Sequence, residues 1–317
     1  MGVLGSSSEQ VTSPPSGRQY SLAHGTQRAV VVELGAGLRE YRTDLGAIVD
    51  GYSREQECDG ARGELLLPWP NRIAGATYRF AGALFRLPVT EPRTGSAIHG
   101  LTRTKPWQSA DISAAAVTLT LDMPPQDGYP FSIGLSATYS LGDSGLTVQV
   151  TATNRGELAC PFGAGAHPYI RLATDGFIDD ALLQVPADAT LVTDDRGIPS
   201  GLESDVEGTG FDFRRARPLG ALMLDTAYTG LHADDDGITR ITLTAPDGHH
   251  GVAVWMDTAH RYAMLYSGDT LADRSRRRRG LAIEPMTCAP DAFNSGAGLI
   301  VLQPGETHHS AWGIAPL

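Results

Sequence analysis

The sequence predicts an all-β protein, a large antiparallel β-sandwich, on three observations. Thirty-seven glycines and 20 prolines among 317 residues cut the chain into short segments and work against long helices. Where periodicity is readable it is two residues, the period of a strand with one face buried. Apolar residues make up 41% of the chain, enough to fill a large packed interior. At about 150 residues per domain the length would suit roughly two domains. No stretch past residue 20 is polar enough to be a linker, so residues 19–317 read as one domain behind a flexible tail over 1–18. Met1-Gly2 with Ser6 fits a lipidation pattern that chance produces often, and a plain tail is the expectation.

The strands follow in order. Val117 to Leu121 alternates apolar and Thr residues. Leu135, Ala137, Tyr139 and Leu141 then lead into a turn at Gly142-Asp143-Ser144-Gly145, and Leu146, Val148, Val150 and Ala152 return on the same face, which is a β-hairpin. Ile238 to Leu243, Val252 to Met256, Tyr262 to Tyr266 and Leu299 to Leu302 are further short strands between Gly, Pro and Asp.

A formal charge of −11 would repel a phosphate backbone, so no nucleic-acid partner is expected. No apolar run approaches the roughly 18 residues of a bilayer helix, and the start carries no secretory pattern, so no membrane is expected and the cytoplasm is the compartment. Cys58, Cys160 and Cys288, odd in number and far apart, suit reduced thiols. The one dense charge run is Arg274 with Arg276 to Arg279, read either as a solvated loop or as a site for a phosphate or sulfonate.

Four segments place polar residues among Gly, Pro and aromatics: Pro68-Trp69-Pro70-Asn71-Arg72-Ile73, Ala97-Ile98-His99-Gly100, Gly163 to Tyr169, and Ile283-Glu284-Pro285 leading into Pro290-Asp291-Ala292-Phe293-Asn294. His167 and Glu284 each precede a proline, which holds their backbones extended. An imidazole and a carboxylate offer a proton donor and an acceptor near neutral pH. On the residues alone, a core histidine and a surface glutamate remain an open alternative.

In this order the segments, with Val32 to Ala36, Asp127-Gly128-Tyr129-Pro130, Leu224-Asp225 and Leu302 to Glu306, resemble the aldose 1-epimerase (galactose mutarotase) family over most of the chain. The resemblance implies a sandwich whose concave side binds one sugar and interconverts the α and β anomers of an aldohexose. It makes Glu284 the base on the C1 hydroxyl and His167 the acid on the ring oxygen, puts Arg72 and His99, with Asn71, beside the ring oxygen and neighbouring hydroxyls, and sets Asp225 on a sugar hydroxyl. Trp69, Tyr169 and Phe293 become candidates for an apolar floor under the sugar. The small-molecule sugar is the expected partner, in a monomer or homodimer that needs neither cofactor nor metal. Glu284 must then be ionised while His167 is protonated, so the histidine is expected to be raised by a nearby carboxylate.

Met286 stands where galactose-type members carry glutamine, a single Gly100 follows His99, and Trp69 replaces a more usual tyrosine, so the residues point to a subgroup and leave the sugar open. Other readings are an epimerase for a charged hexose such as a 6-phosphate, a carbohydrate-binding sandwich without catalysis, a zinc site on His99, His167 and Glu284, and a glycosidase using Asp225 and Glu284.

Overall fold

Two antiparallel sheets carry the molecule in the computed structural model, which describes residues 13–172 and 176–317. The nine-stranded sheet is built around the predicted hairpin: Ile133–Gly142 pairs with Gly145–Asn154 from Ile133↔Asn154 to Gly142↔Gly145, with Asp143 and Ser144 as the turn. Along both strands every second side chain is buried, the apolar set facing inward and Thr147, Gln149 and Thr151 outward. This is the one-sided burial that a period of two requires. Ala116–Met123 and Gln108–Ile112 extend the sheet on one side. On the other side lie Thr307–Pro316, Gly251–Met256 and Thr239–Thr244.

The second sheet has eight strands and holds the site. Its centre runs Ala187–Thr193, Asp225–Leu231, Tyr262–Tyr266 and Leu281–Met286, with Gly165–Ala166 and Tyr169–Ile170 both pairing with the last of these. A four-stranded meander over Gln19–Ala47 packs against Ala116–Met123 and Ile133–Gly142 of the nine-stranded sheet. One apolar cluster joins the sheets, with Leu119, Val148, Val254 and Ile314 from the first and Tyr228, Leu265 and Ile283 from the second. Burial of this apolar surface is the main favourable term in folding. The single α-helix among the described residues is Ala292–Ser295, and no described helix is long and apolar enough to cross a membrane.

Of the expected tail, residues 1–12, including the Met1-Gly2-Ser6 pattern, lie outside the described residues. Ser16 is buried, its carbonyl accepts from the Leu34 amide, and the Arg18 amide donates to Glu33, so the chain is tied to the meander before residue 19.

Candidate active site

Glu284 sits mid-strand in Leu281–Met286, every residue of which is buried. Gly165–Ala166 and Tyr169–Ile170 pair with the two ends of that strand, so His167-Pro168 bridges them directly opposite Glu284. Both sides of His167 are pinned: its amide donates to the Glu64 carbonyl at 3.0 Å and its carbonyl accepts from Gly63 at 2.9 Å. Proline at 168 keeps the histidine backbone extended, and its carbonyl accepts from the Ile283 amide at 3.2 Å. Gly165 is small for a reason: a Cβ there would come within 2.8 Å of Pro70 Cβ. The outcome is a buried pair with His167 Nε2 3.3 Å from Glu284 Oε1.

A second ribbon brings Arg72 and His99 to the same place. Arg72–Ile73 pairs with Ala97–Ile98, and beyond it Asn71 and His99, both in the left-handed region, clasp each other. The Asn71 carbonyl accepts from the His99 amide, and the Asn71 amide donates to His99 Nδ1 at 3.3 Å. That second bond fixes the tautomer, because a ring nitrogen that accepts carries no proton. Neutral His99 therefore presents Nε2–H as a donor. Gly100 permits the clasp: its φ is +72° and a Cβ would lie 2.0 Å from the Leu67 carbonyl oxygen.

These groups line a cleft of about 400 Å³ together with Asp225, Tyr169 and Tyr266. Arg72 is held by a two-point fork onto Glu91, Nε to Oε2 at 2.6 Å and NH2 to Oε1 at 2.9 Å, and Thr94 donates to the same carboxylate. Burial works against the Glu91 charge, and the fork overcomes it, holding that carboxyl below its ordinary range. Asn71 turns its Oδ1 to the Arg72 amide. Asp225 opens the Asp225–Leu231 strand, and burial, opposed by Arg72, raises its carboxyl.

Three expectations are corrected. Trp69 and Phe293 do not line the cleft; they pack edge-to-face at 5.6 Å, both almost fully buried, as core behind it, and Tyr169 alone of the three aromatics reaches the site. Three of the five arginines in the run are tied to protein groups, so the run is not a simple solvated loop. Arg276 bonds Asp50 and the Gly51 carbonyl, Arg277 the Leu271 carbonyl, and Arg278 Asp179 and Asp269, so the run anchors the cleft wall at residues 270–272. The third concerns the proton. His167 is not raised by a carboxylate; burial, then the Arg103 and Arg62 cations, depress it to about 3. Burial, then Asp225, pushes Glu284 well above its ordinary range. Both shifts favour a neutral acid beside a neutral imidazole over an ion pair, with one proton shared out between two buried groups.

Sequence reasoning missed Glu91, Arg93, Arg103 and Tyr266, all of which line the cleft. Glu91 is 19 positions from the arginine it holds, a separation with no periodic signal. No group of three His, Cys, Asp or Glu among the described residues has the geometry to hold a metal ion, and His99, which spends Nδ1 on a backbone amide, meets His167 only ring edge to face.

The cleft holds a buried carboxyl and imidazole 3.3 Å apart, and similarity to known proteins supplies its class, a carbohydrate epimerase. The chain belongs to the aldose 1-epimerase family, whose sequence profile matches residues 18–314. It is 36% identical over 300 residues to the uncharacterized protein YihR of Escherichia coli K12, covering 94% of this chain and 93% of that one. It is 30% identical over 285 residues to the galactose mutarotase of Rattus norvegicus, covering 84% and 81%. The crystal structure of the GalM/aldose epimerase homologue from C. elegans superposes with a TM-score of 0.83 at 20% identity, over 94% of this chain and 98% of that one.

Proposed function

We propose that this protein is a mutarotase that interconverts the α and β anomers of an aldohexose, with Glu284 and His167 moving the two protons. The observation that carries this reading is the 3.3 Å contact between the two groups at the cleft floor. The neutral pair and the ion pair Glu284⁻/His167⁺ hold the same number of protons and differ only in where one sits. A bound sugar selects the ionic form: its C1 hydroxyl donates to the Glu284 carboxylate, and its ring oxygen accepts from His167 Nε2–H. Glu284 then takes the C1 hydroxyl proton, the C1–O1 bond becomes a carbonyl, the C1–ring oxygen bond breaks, and His167 protonates the departing oxygen. Rotation about C1–C2 and reversal of both transfers close the ring on the other face. Nothing is oxidised or consumed.

His99 Nε2–H and the Arg72 guanidinium hydrogens that Glu91 does not take give the ring-opened hydroxyl and its neighbours fixed donors, and Asp225 accepts from a sugar hydroxyl. Polarimetry on a freshly dissolved single anomer tests the reading: the protein should speed the approach to equilibrium, and an unchanged rate on every aldohexose would leave a binding protein without catalysis. One observation supports a second reading, a charged hexose. Arg93 lines the cleft with its side chain 67% exposed and its guanidinium 3.7 Å from Glu91, where an anionic substituent on the sugar would meet it.

A further inference from the structure

We propose that Arg62 is a positioning residue for His167, its clamped guanidinium holding the Tyr169 ring on which the imidazole stacks and fixing a positive charge behind that imidazole. The proposal rests on the reading of His167 as the proton donor. Arg62 is 1% exposed and does not line the cleft, so it reaches no sugar. Its Nε donates to Asp59 Oδ1 at 2.9 Å and its NH1 to Asp50 Oδ2 at 2.7 Å. The other Asp50 oxygen accepts from Arg276 at 3.3 Å, which gives the arginine run a task at the site. Held this way, the Arg62 guanidinium lies over the Tyr169 ring, 4.4 Å from its centroid, and the same ring stacks on His167 at 4.9 Å with an 18° tilt. A buried arginine is costly, and its planar fork is suited to being clamped and stacked at once in a way that lysine is not.

The groups facing His167 are few. Glu284 lies on one strand, His99 meets it edge-on at 5.3 Å, and Tyr169 stacks on it; Arg103, paired with Glu64, and Arg62 supply the cations, while Arg72 and Asp225 act on Glu284. A cation near an imidazolium makes it a stronger acid, which is what protonating the weakly basic ring oxygen requires. The stacking distances put the Arg62 charge within about 9 Å of the imidazole, where it depresses the imidazolium after burial and Arg103, its field partly offset by Asp50 and Asp59.

The test is an NMR titration of the ¹⁵N-labelled His167 imidazole, assigned with His167→Gln, beside anomer-exchange kinetics. Arg62→Gln should move the His167 midpoint up and lower kcat severalfold; Arg62→Lys, which keeps the charge and loses the fork, should hold the midpoint and lose part of kcat. Tyr169→Leu leaves the ion pairs intact and should lower kcat more than it raises KM, with Tyr169→Phe restoring it, so the proposal is decided even if Arg62→Gln does not fold. An unmoved midpoint in folded Arg62→Gln, or a kcat within twofold of wild type in Tyr169→Leu, overturns it. The titration needs no turnover, so a protein inactive on every sugar would refute the mutarotase reading while the midpoints still judged Arg62.

Discussion

Replacing Glu284 by Gln should destroy activity and stabilise the fold, and the second effect should depend on pH. Glu284 is buried against His167, and burial and Asp225 raise its carboxyl well above the ordinary range. A group whose folded pKa is raised contributes its full stability below the unfolded value, near 4.5, and loses it as pH rises toward the folded value. At pH 5 wild type and variant should therefore melt at similar temperatures. At pH 8 the unfolded wild-type chain carries a charge that the folded chain disfavours, and the Gln variant, nearly the same size and never ionised, should melt higher. Activity moves the other way. One positioned proton transfer is worth about 10² to 10⁴ in rate, or about 2.7 to 5.4 kcal/mol of barrier. The assays are thermal melts by circular dichroism at pH 5 and 8 and anomer exchange by NMR. A variant that keeps near-wild-type exchange, or whose melting gain is no larger at pH 8 than at pH 5, would refute the reasoning.

Since the active pair carries one proton in either tautomer, kcat/KM should have its acid limb below the ordinary imidazole range and its basic limb above the ordinary carboxylate range; an acid limb at the ordinary imidazole value would mean an exposed, ordinary histidine. Glu91→Ala should free the Arg72 fork, raise KM about tenfold with a smaller change in kcat, and cost about 2 kcal/mol in urea unfolding, below the value for a fully buried pair because Glu91 is one-fifth exposed. Gly100→Ala, forced into a left-handed backbone with its Cβ against the Leu67 carbonyl, should lose about 2 to 4 kcal/mol in the same unfolding assay and detach His99 from Asn71. Dialysis against a strong chelator should leave anomer exchange unchanged, with loss that zinc alone restores as the contrary result.

The hairpin over 133–154 was legible because one of its faces is wet, so burial writes a period of two into the residues. Leu281–Met286 is buried on both faces and Pro199–Asp205 on almost none, so neither shows alternation, and the strand that carries Glu284 was found by its proline and by family resemblance. His167, His99, Arg72, Asn71, Asp225 and Tyr169 do converge on the cleft. Trp69 and Phe293 misled because an aromatic beside a functional segment has the same composition whether it faces sugar or core. The order of the two proton affinities could not be read at all: it follows from how deeply the pair is buried and from Arg62 and Arg103, 105 and 64 positions before His167 in the chain.

A cleft that opens and recloses a sugar ring through Glu284 and His167 must exchange anomers at equilibrium. Two-dimensional NMR exchange between anomers at equilibrium, run over neutral and anionic aldohexoses with wild type and with His167→Ala, measures it directly. Exchange cross-peaks should exceed the uncatalysed rate for at least one aldohexose with wild type and be lost with a folded His167→Ala. Exchange that persists at the wild-type rate in that variant, or is absent from wild type on every sugar, would contradict that mechanism.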